Sequence, residues 1–256
     1  MMTIKLSRST LKKIINVPLN AIGLTLEKTM SGGAAPTWSD RMKLAKNLGF
    51  SPKGILDGGA FKGHWSQEAA SLFPHVPIII VEPNPFVQED IIRAASQIEP
   101  TPRVLSVALG EFQGKARLNI WREEKLDTGA SLLDHVSGKA NKTIEVDVDT
   151  LDNISLLSGF YPDLVKLDLQ GAELSALKGA TRVLKHAELM MIEFGCLEAY
   201  EGRSTPHDLL TIMYENDYCL YDIVDCHYRP YDGALTGGDF FFVKNSSSLR
   251  AYKGWK

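Results

Sequence analysis

The sequence predicts an α/β fold, with a mostly parallel sheet of seven strands and helices on both of its faces. Two observations lead to this prediction. From residue 53 onward, short apolar runs alternate with amphipathic stretches, as in proteins built from strand–helix repeats. The run over residues 77–82 is almost continuously apolar, which is typical of a strand that is buried on both faces.

The elements follow one another in a regular order along this part of the chain. Strands are expected over residues 54–58, 77–82, 103–109, 163–169, 189–194, 219–224 and 239–244. Helices are expected over residues 63–73, 86–98, 173–186 and 206–216. Residues 51–256 would therefore form one large domain, since their length and apolar content suffice for a sizeable core.

One segment interrupts the alternation inside this domain. In residues 111–148, apolar and polar side chains alternate around positions 116–120 and again around positions 144–148. Such an alternation predicts added antiparallel strands that enclose a loop. We expect this insertion to lie near the carboxyl edge of the main sheet and to shape the acceptor pocket there.

The first 50 residues have a different pattern. Apolar residues recur at roughly helical spacing, and a short second helix is expected to start at Ser39-Asp40 and to end at Gly49. We interpret residues 1–50 as a helical cap or lid on the domain. Contact of the basic stretch around Lys12-Lys13 with a membrane surface is the alternative.

The composition argues against several classes of function. The net charge is −3 and no run of Lys or Arg is present, so a nucleic-acid partner is not expected. Cys196, Cys219 and Cys226 have neither metal-binding nor redox spacing, and such a sparse, odd number is typical of a reducing compartment. No apolar run has the length of a membrane span or the character of a signal peptide. We therefore expect a cytoplasmic location.

The turn after the first strand predicts a cofactor site. Asp57, Gly59 and Gly63 form a D-x-G-x-x-x-G pattern between strand and helix. Gly59 and the small Ala60 would let a ligand lie against the backbone, and the helix beyond Gly63 offers unpaired N–H groups to an anionic group. Asp57 would face a cationic amine. A dinucleotide site needs a glycine at position 60, where this chain has alanine.

A carboxylate at the end of the second strand supports a nucleoside ligand. Glu82 lies in the segment Val-Glu-Pro-Asn-Pro. An acid at this place accepts hydrogen bonds from a ribose diol, both in NAD enzymes and in enzymes of S-adenosylmethionine. Glu82 therefore indicates a nucleoside without choosing between these two cofactors, and it could also only cap a helix.

Together, these segments resemble the FkbM family of methyltransferases over roughly residues 45–244. The densest match is residues 166–173, Lys-Leu-Asp-Leu-Gln-Gly-Ala-Glu, continued by Leu-Lys-Gly-Ala at residues 177–180. The other matching segments are residues 57–63, 81–85, 108–110, 129–132, 150–152 and 239–243. The resemblance implies a Rossmann-like class I methyltransferase fold, S-adenosylmethionine as cofactor, and O-methylation of sugars or natural products.

The resemblance also extends the set of predicted site residues. It adds Asn84 and Ala108 to the cofactor-binding residues Asp57, Gly59, Ala60, Gly63, Glu82 and Asp168. Four carboxylates, those of Asp57, Glu82, Asp168 and Glu193, are expected along one edge of the sheet, where a sulfonium and an ammonium would offset their charge. A divalent metal held by Asp168 and Glu193 is the less favoured alternative.

Methylation of an alcohol needs a group that removes the hydroxyl proton. Asp168, directly after the fourth strand, is the first candidate base, and Glu193 and Glu173 are the alternatives. The predicted acceptor is a small molecule with a hydroxyl group, and homo-oligomerisation stays open. Two further hypotheses are an NAD-dependent reductase or epimerase and a nucleoside-binding module without catalytic activity.

Overall fold

A computed structural model describes residues 36–122 and 127–254 of the chain. Most of the predicted N-terminal cap therefore lies outside the described residues. The short second helix is present as α1, Trp38–Asn47, and the Thr37 hydroxyl caps it by accepting a hydrogen bond from the Asp40 N–H. Gly49, which has a φ of 99°, follows the helix as predicted.

The main sheet has the seven predicted strands. Its members are β1 (Ile55–Gly58), β2 (Ile78–Val81), β3 (Arg103–Leu105), β7 (Leu164–Leu167), β8 (Leu189–Gly195), β9 (Tyr218–Tyr228) and β10 (Leu235–Lys244). Their spatial order is β3-β2-β1-β7-β8-β10-β9. The first five are parallel, whereas β10 runs antiparallel between β8 and β9. The strand order reverses between β1 and β7, and ligands of such sheets bind at this switch point.

The two faces of the sheet are covered by different helices. On one face, α1 packs together with α2 (His64–Leu72) and α3 (Gln88–Ala95). On the other face lie α4 (Leu151–Ser158), α5 (Glu173–Lys178), α6 (Thr181–His186) and α7 (Pro206–Glu215). Neighbouring residues of one strand enter opposite cores: Ile78 and Ile80 face the first set, and Ile79 faces the second. This explains the continuous apolar run.

The predicted helix over residues 173–186 is wrong, because the chain forms two helices there. A Cβ atom at Gly179 would overlap the carbonyl oxygen of Gly110, so the backbones approach closely at the break. The Asp152 carboxylate then accepts hydrogen bonds from the N–H groups of Arg182 and Val183, at 2.9 Å each, and starts α6 anew. The helix α4, which carries Asp152, was not predicted.

The insertion forms a separate three-stranded sheet. Its strands are β4 (Ala108–Leu109), β5 (Gly114–Ile120) and β6 (Lys142–Asp149), in the order β4-β6-β5. The antiparallel pairing of β5 with β6 confirms the predicted strands. The single strand predicted over residues 103–109 is wrong: the chain leaves the main sheet after Leu105, and β4 pairs in parallel with β6. No helix among the described residues has the length and apolar character needed to cross a membrane.

Candidate active site

The turn after β1 lies directly against the turn after β7. Gly59 has a φ of 72°, and a Cβ atom there would overlap the backbone carbonyl oxygen of Asp168. The N–H groups of Gly59 and Ala60 donate to the Val81 oxygen at 2.9 and 3.3 Å, which fixes the turn to the end of β2. Gly63, at a φ of 77°, precedes α2. The glycines are therefore required by backbone conformation and close approach.

The Glu82 carboxylate joins two turns. One of its oxygens accepts a hydrogen bond from the Phe61 N–H and the other from the Asn84 N–H, both at 2.8 Å. The residue is buried, and this burial raises the pKa of the Glu82 carboxyl to about 7, although the two N–H groups act in the opposite direction. Each carboxylate oxygen keeps a further lone pair for a ligand hydroxyl.

Asp57 lies beneath the turn and has no solvent-exposed surface. Its carboxylate accepts a hydrogen bond of 2.7 Å from the Ser66 hydroxyl and lies 3.2 Å from Lys166 Nζ. Lys166 also donates to the Gly59 oxygen at 2.7 Å and lies 3.5 Å from the Asp168 carboxylate. In this structure, the partners of the Asp57 carboxylate are Ser66 and Lys166. The predicted contact of Asp57 with a cofactor amine stays a prediction.

Lys166 is a site residue that sequence reasoning missed. Burial lowers the pKa of this ammonium, but the charges of Asp57 and Asp168 outweigh burial and raise the pKa overall. Lys166 therefore stays protonated between the two carboxylates. A signal was present in the sequence, because a lysine in the otherwise apolar strand β7 needs a buried partner.

A cleft of about 260 Å³ opens beside these turns. The predicted cofactor residues that line it are Gly59, Ala60, Glu82, Ala108 and Asp168, whereas Asp57, Gly63 and Asn84 are not among its lining residues. Most of the wall is apolar, and the insertion supplies part of it through Leu118, Asp127, Thr128, Ala130 and Leu132. This shape fits a nucleoside, with apolar walls for a base and Glu82 for a ribose.

A second cavity, of about 210 Å³, lies on the other side of Asp168. Its described wall is polar and includes Glu193, Arg203, His227, Thr236 and Asp239. None of the described residues in this wall comes from the insertion, whose lining residues belong to the first cleft, and its role at the acceptor site stays a prediction. Asp168 is the charged side chain that borders both spaces, and 37% of it is exposed.

The polar cavity concentrates negative charge. Glu193 and Asp239 are paired across the antiparallel strands β8 and β10. Burial, followed by the charges of Asp168 and Glu173, raises the pKa of Glu193 well above its ordinary range. Burial and then the charge of Asp168 raise the pKa of Asp239 to about 7. These carboxyls therefore hold protons more readily than exposed ones.

Arg203 supplies positive charge to the same cavity. Its guanidinium lies 3.9 Å from the Glu193 carboxylate and occupies the space that a side chain at position 195 would fill, since a Cβ atom at Gly195 would overlap it. Arg203 was not predicted as a site residue, and Asp239 was noted only within a matching segment. No local sequence pattern identifies either residue, because strand pairing brings Asp239 to the cavity and a loop brings Arg203 there.

Glu173, the third candidate base, lies elsewhere. It is fully buried, and one of its oxygens accepts hydrogen bonds from the N–H groups of Leu169 and Gly171 at 2.8 and 3.1 Å. The Ser204 hydroxyl approaches the other oxygen at 3.5 Å. Glu173 is not among the described residues that line either cavity, so the geometry gives it a role in shaping the turn before α5.

The described residues contain no group of three or more His, Cys, Asp or Glu side chains arranged to hold a metal ion. The fit to an organic cofactor is better, since Gly59 leaves room where a side chain would block the cleft and Glu82 presents a buried carboxylate to it. The predicted metal alternative on Asp168 and Glu193 therefore has no support from this part of the chain.

Comparison with solved structures gives the fold. A proposed rRNA methylase from Clostridium thermocellum matches with a TM-score of 0.51 at 6% identity, covering 84% of this chain and 99% of that one. Magnesium protoporphyrin IX methyltransferase from Synechocystis, with bound S-adenosylmethionine, matches at a TM-score of 0.42 and 12% identity, covering 95% of this chain and all of that one. The 1,6-didemethyltoxoflavin-N1-methyltransferase from Burkholderia thailandensis, with bound 1,6-didemethyltoxoflavin and S-adenosylhomocysteine, matches at a TM-score of 0.43 and 12% identity, covering 80% of this chain and 77% of that one.

The sequence comparisons give the family. Curated proteins gave no significant match to the sequence. The model described as the methyltransferase FkbM domain matches residues 57–221, which include both turns, Glu82 and Asp168. The fold is accordingly that of Rossmann-like class I methyltransferases, as predicted, and the cofactor is S-adenosylmethionine. The chain belongs to the FkbM family of methyltransferases.

Proposed function

We propose that this methyltransferase modifies a hydroxyl group of a sugar-containing or other natural-product acceptor, with Asp168 as the general base. The observation that carries the proposal is the position of Asp168, whose side chain borders both the cofactor cleft and the polar cavity. A base that serves O-methylation must reach the acceptor oxygen at the point where the cofactor delivers its methyl group. Family membership leaves the NAD-dependent alternative without support.

The two cavities suggest separate tasks. In the cleft, Glu82 would hold the ribose of the cofactor, and Gly59 and Ala60 would lie against it. When bound, S-adenosylmethionine supplies an activated methyl group on a positively charged sulfur. The polar cavity would orient the acceptor, because its charged and hydroxyl-bearing side chains can donate to and accept from sugar hydroxyls.

Asp168 has the surroundings that a base requires. Its carboxylate is partly exposed, and Lys166 lies 3.5 Å away, so the ionised form has a charged partner. The acceptor hydroxyl would pass its proton to this carboxylate as the oxygen receives the methyl group. Glu193 is the second candidate, because it borders the polar cavity but, unlike Asp168, does not line the cofactor cleft.

The test has two parts. Purified enzyme is incubated with S-adenosylmethionine and a panel of methyl glycosides, sugar alcohols and amines, and mass spectrometry identifies which compounds gain a methyl group and at which atom. A methylated hydroxyl supports the proposal. A product methylated only at nitrogen or carbon contradicts it. S-adenosylhomocysteine that binds without turnover of any compound favours the non-catalytic alternative.

The second part uses Asp168→Asn on the best acceptor. We expect turnover to fall by roughly 10²–10⁴, while the affinity for S-adenosylhomocysteine changes little, because the amide keeps the shape but cannot take the proton. The control is Asp90→Asn on α3, whose carboxylate pairs with Arg93. Near-native turnover of Asp168→Asn would exclude Asp168 as the base, and Glu193→Gln would be tested next.

The role of the N-terminal segment as a lid is a further part of this proposal. Removal of residues 1–35 is expected to impair acceptor turnover more than cofactor binding. Calorimetry with S-adenosylhomocysteine and the acceptor assay, run on the same truncated protein, separate the two effects. A truncated protein with full turnover would contradict the lid.

A further inference from the structure

Gln170 has a backbone conformation that long side chains rarely adopt. Its φ is 53°, in the left-handed region, and it is followed by Gly171 at a φ of 104°. The conformation is held from outside, because the Ser131 hydroxyl of the insertion donates to the Gln170 carbonyl oxygen at 2.8 Å. Residues in this region persist where the surrounding structure requires them, and they cluster at functional sites.

The side chain of Gln170 connects the two candidate bases. Its Nε2 donates to Asp168 at 2.8 Å and to Glu193 at 3.3 Å. Its Oε1 accepts a hydrogen bond of 3.1 Å from the Tyr200 hydroxyl. The two carboxylates set the direction of the amide, since an amide turned the other way would place its oxygen against both of them.

The turn conformation and this bridge depend on each other. With Gln170 in the left-handed region, its side chain reaches back over the turn to Asp168, two residues earlier in the chain, and across to β8. From these contacts we infer that Gln170 is a positioning residue: its amide holds the Asp168 carboxylate at the boundary of the two cavities and keeps Glu193 beside it. The inference rests on the proposed function of Asp168.

An uncharged donor suits this position because the charged groups around the pair are two basic and two acidic side chains, whose formal charges offset one another. The groups that face the two carboxylates are Lys166 on β7, Arg203 in the loop after β8, Glu173 at the start of α5 and Asp239 on β10. An amide that donates to both carboxylates lessens their repulsion without a change of charge. A third carboxylate at position 170 would instead increase it.

The test compares Gln170→Glu with the matched surface change Gln97→Glu, since Gln97 pairs only with Gln67 in an exposed position among the described contacts. Carboxylate titrations are followed by ¹³C NMR on protein without cofactor, which requires no acceptor. In Gln170→Glu, we expect the titration midpoint of Glu193 to move to higher pH by about one unit or more, because a carboxylate replaces the amide that donates to it at 3.3 Å. Gln97→Glu should leave this midpoint in place. An unchanged midpoint in Gln170→Glu would overturn the inference.

A second variant removes the amide without adding charge. Gln170→Gly fits the positive φ, which offsets part of the stability lost with the hydrogen bonds of the amide, so the melting temperature should change little, and Tyr200 keeps its hydrogen bond to the Gly129 oxygen. Turnover should fall about tenfold or more because the base is no longer held in place. Affinity for S-adenosylhomocysteine should stay within about threefold. An affinity that falls as far as turnover would show instead that Gln170 is only a wall of the cofactor cleft.

The outcomes separate this inference from the proposed function. Near-native turnover in Asp168→Asn contradicts the proposed base, whatever Gln170 does. An inactive Asp168→Asn, together with Gln170 variants that keep both the Glu193 midpoint and the turnover, contradicts only the positioning role.

Discussion

The two cavities that meet at Asp168 are built in different ways. The cofactor cleft is mostly apolar, and the polar features that shape it include turns held by backbone hydrogen bonds and the Glu82 carboxylate, which two N–H groups fix in place. The polar cavity is lined by charged side chains from four separate segments, and two of its carboxyls have a raised pKa. The first is a feature of backbone conformation and the second is a feature of side-chain chemistry.

This difference has a consequence for binding. A site made of backbone accepts one shape, which suits a cofactor that is the same in every turnover. A site made of side chains can be changed one residue at a time, which suits an acceptor that differs between enzymes of similar fold. Substitutions in the cofactor cleft should therefore mainly lower stability and cofactor binding, whereas substitutions in the polar cavity should mainly lower the affinity for the acceptor.

The largest effect is expected from a backbone position of the cofactor cleft. Gly59→Ala places a Cβ atom against the Asp168 carbonyl oxygen and disfavours the φ of 72°. We expect a loss of about 2–4 kcal/mol in the free energy of unfolding, measured by urea denaturation, together with a loss of cofactor binding. The control is Gly114→Ala, where the new Cβ meets nothing within 4 Å. Equal stability of the two variants would contradict the conclusion that the cleft depends on the backbone conformation and close approach at Gly59.

The next effect concerns Glu82. In Glu82→Gln, the amide nitrogen must face one of two backbone N–H donors, so one hydrogen bond becomes a repulsion and the ribose loses a charged acceptor. We expect the affinity for S-adenosylhomocysteine to fall about 10–100-fold in calorimetry, as for loss of hydrogen bonds to a charged group. Glu68→Gln, on the exposed face of α2, serves as the control. An unchanged affinity would mean that the ribose of the cofactor does not bind Glu82.

A smaller and more selective effect is expected in the polar cavity. Arg203→Met keeps the length of the side chain but removes the charge beside Glu193. The KM for the acceptor should rise about tenfold, and the affinity for S-adenosylhomocysteine should not change. Arg93→Met on α3 is the matched control, because that arginine pairs with Asp90 on an exposed surface. Equal losses for acceptor and cofactor would mean that the two cavities form one site.

The last expected effect is a pH dependence of stability. The pKa of Asp239 is raised from 3.8 to about 7, so the folded protein binds the proton more tightly than the unfolded chain does. The resulting stabilisation is complete below pH 4 and is lost as the pH rises through about 7. The melting temperature of the cofactor-free protein should therefore fall over this range, and less steeply in Asp239→Asn. The same slope in both proteins would show that Asp239 does not contribute.

Much of the cofactor cleft could be predicted from the sequence because its determinants are local. The glycine turn, Glu82 and Asp168 each follow a buried strand, and apolar runs identify such strands. Local patterns did not show that Asp57 would be covered by Ser66 and Lys166, or that Glu173 would bind its own turn. Those contacts depend on which donor groups the fold brings next to each carboxylate.

The polar cavity could not be predicted in the same way. Asp239 lies opposite Glu193 only because β10 enters the sheet between β8 and β9 in the reverse direction. Arg203 reaches the cavity from a loop, through space left by Gly195. The break between α5 and α6 has a similar cause, because Gly110 and Asp152 act on it from distant parts of the chain.

The sharing of Asp168 between the two cavities limits how such an enzyme can be redesigned. On the proposed function, an inserted or deleted residue between Asp168 and Gly171 would alter donor binding and acceptor recognition in a single step, since the Asp168 carbonyl lies against the Gly59 turn and Asp168 also borders the polar cavity proposed for the acceptor. New acceptor specificities should therefore arise from the segments around Arg203 and Thr236. A library confined to those two segments should retain donor binding in most of its members.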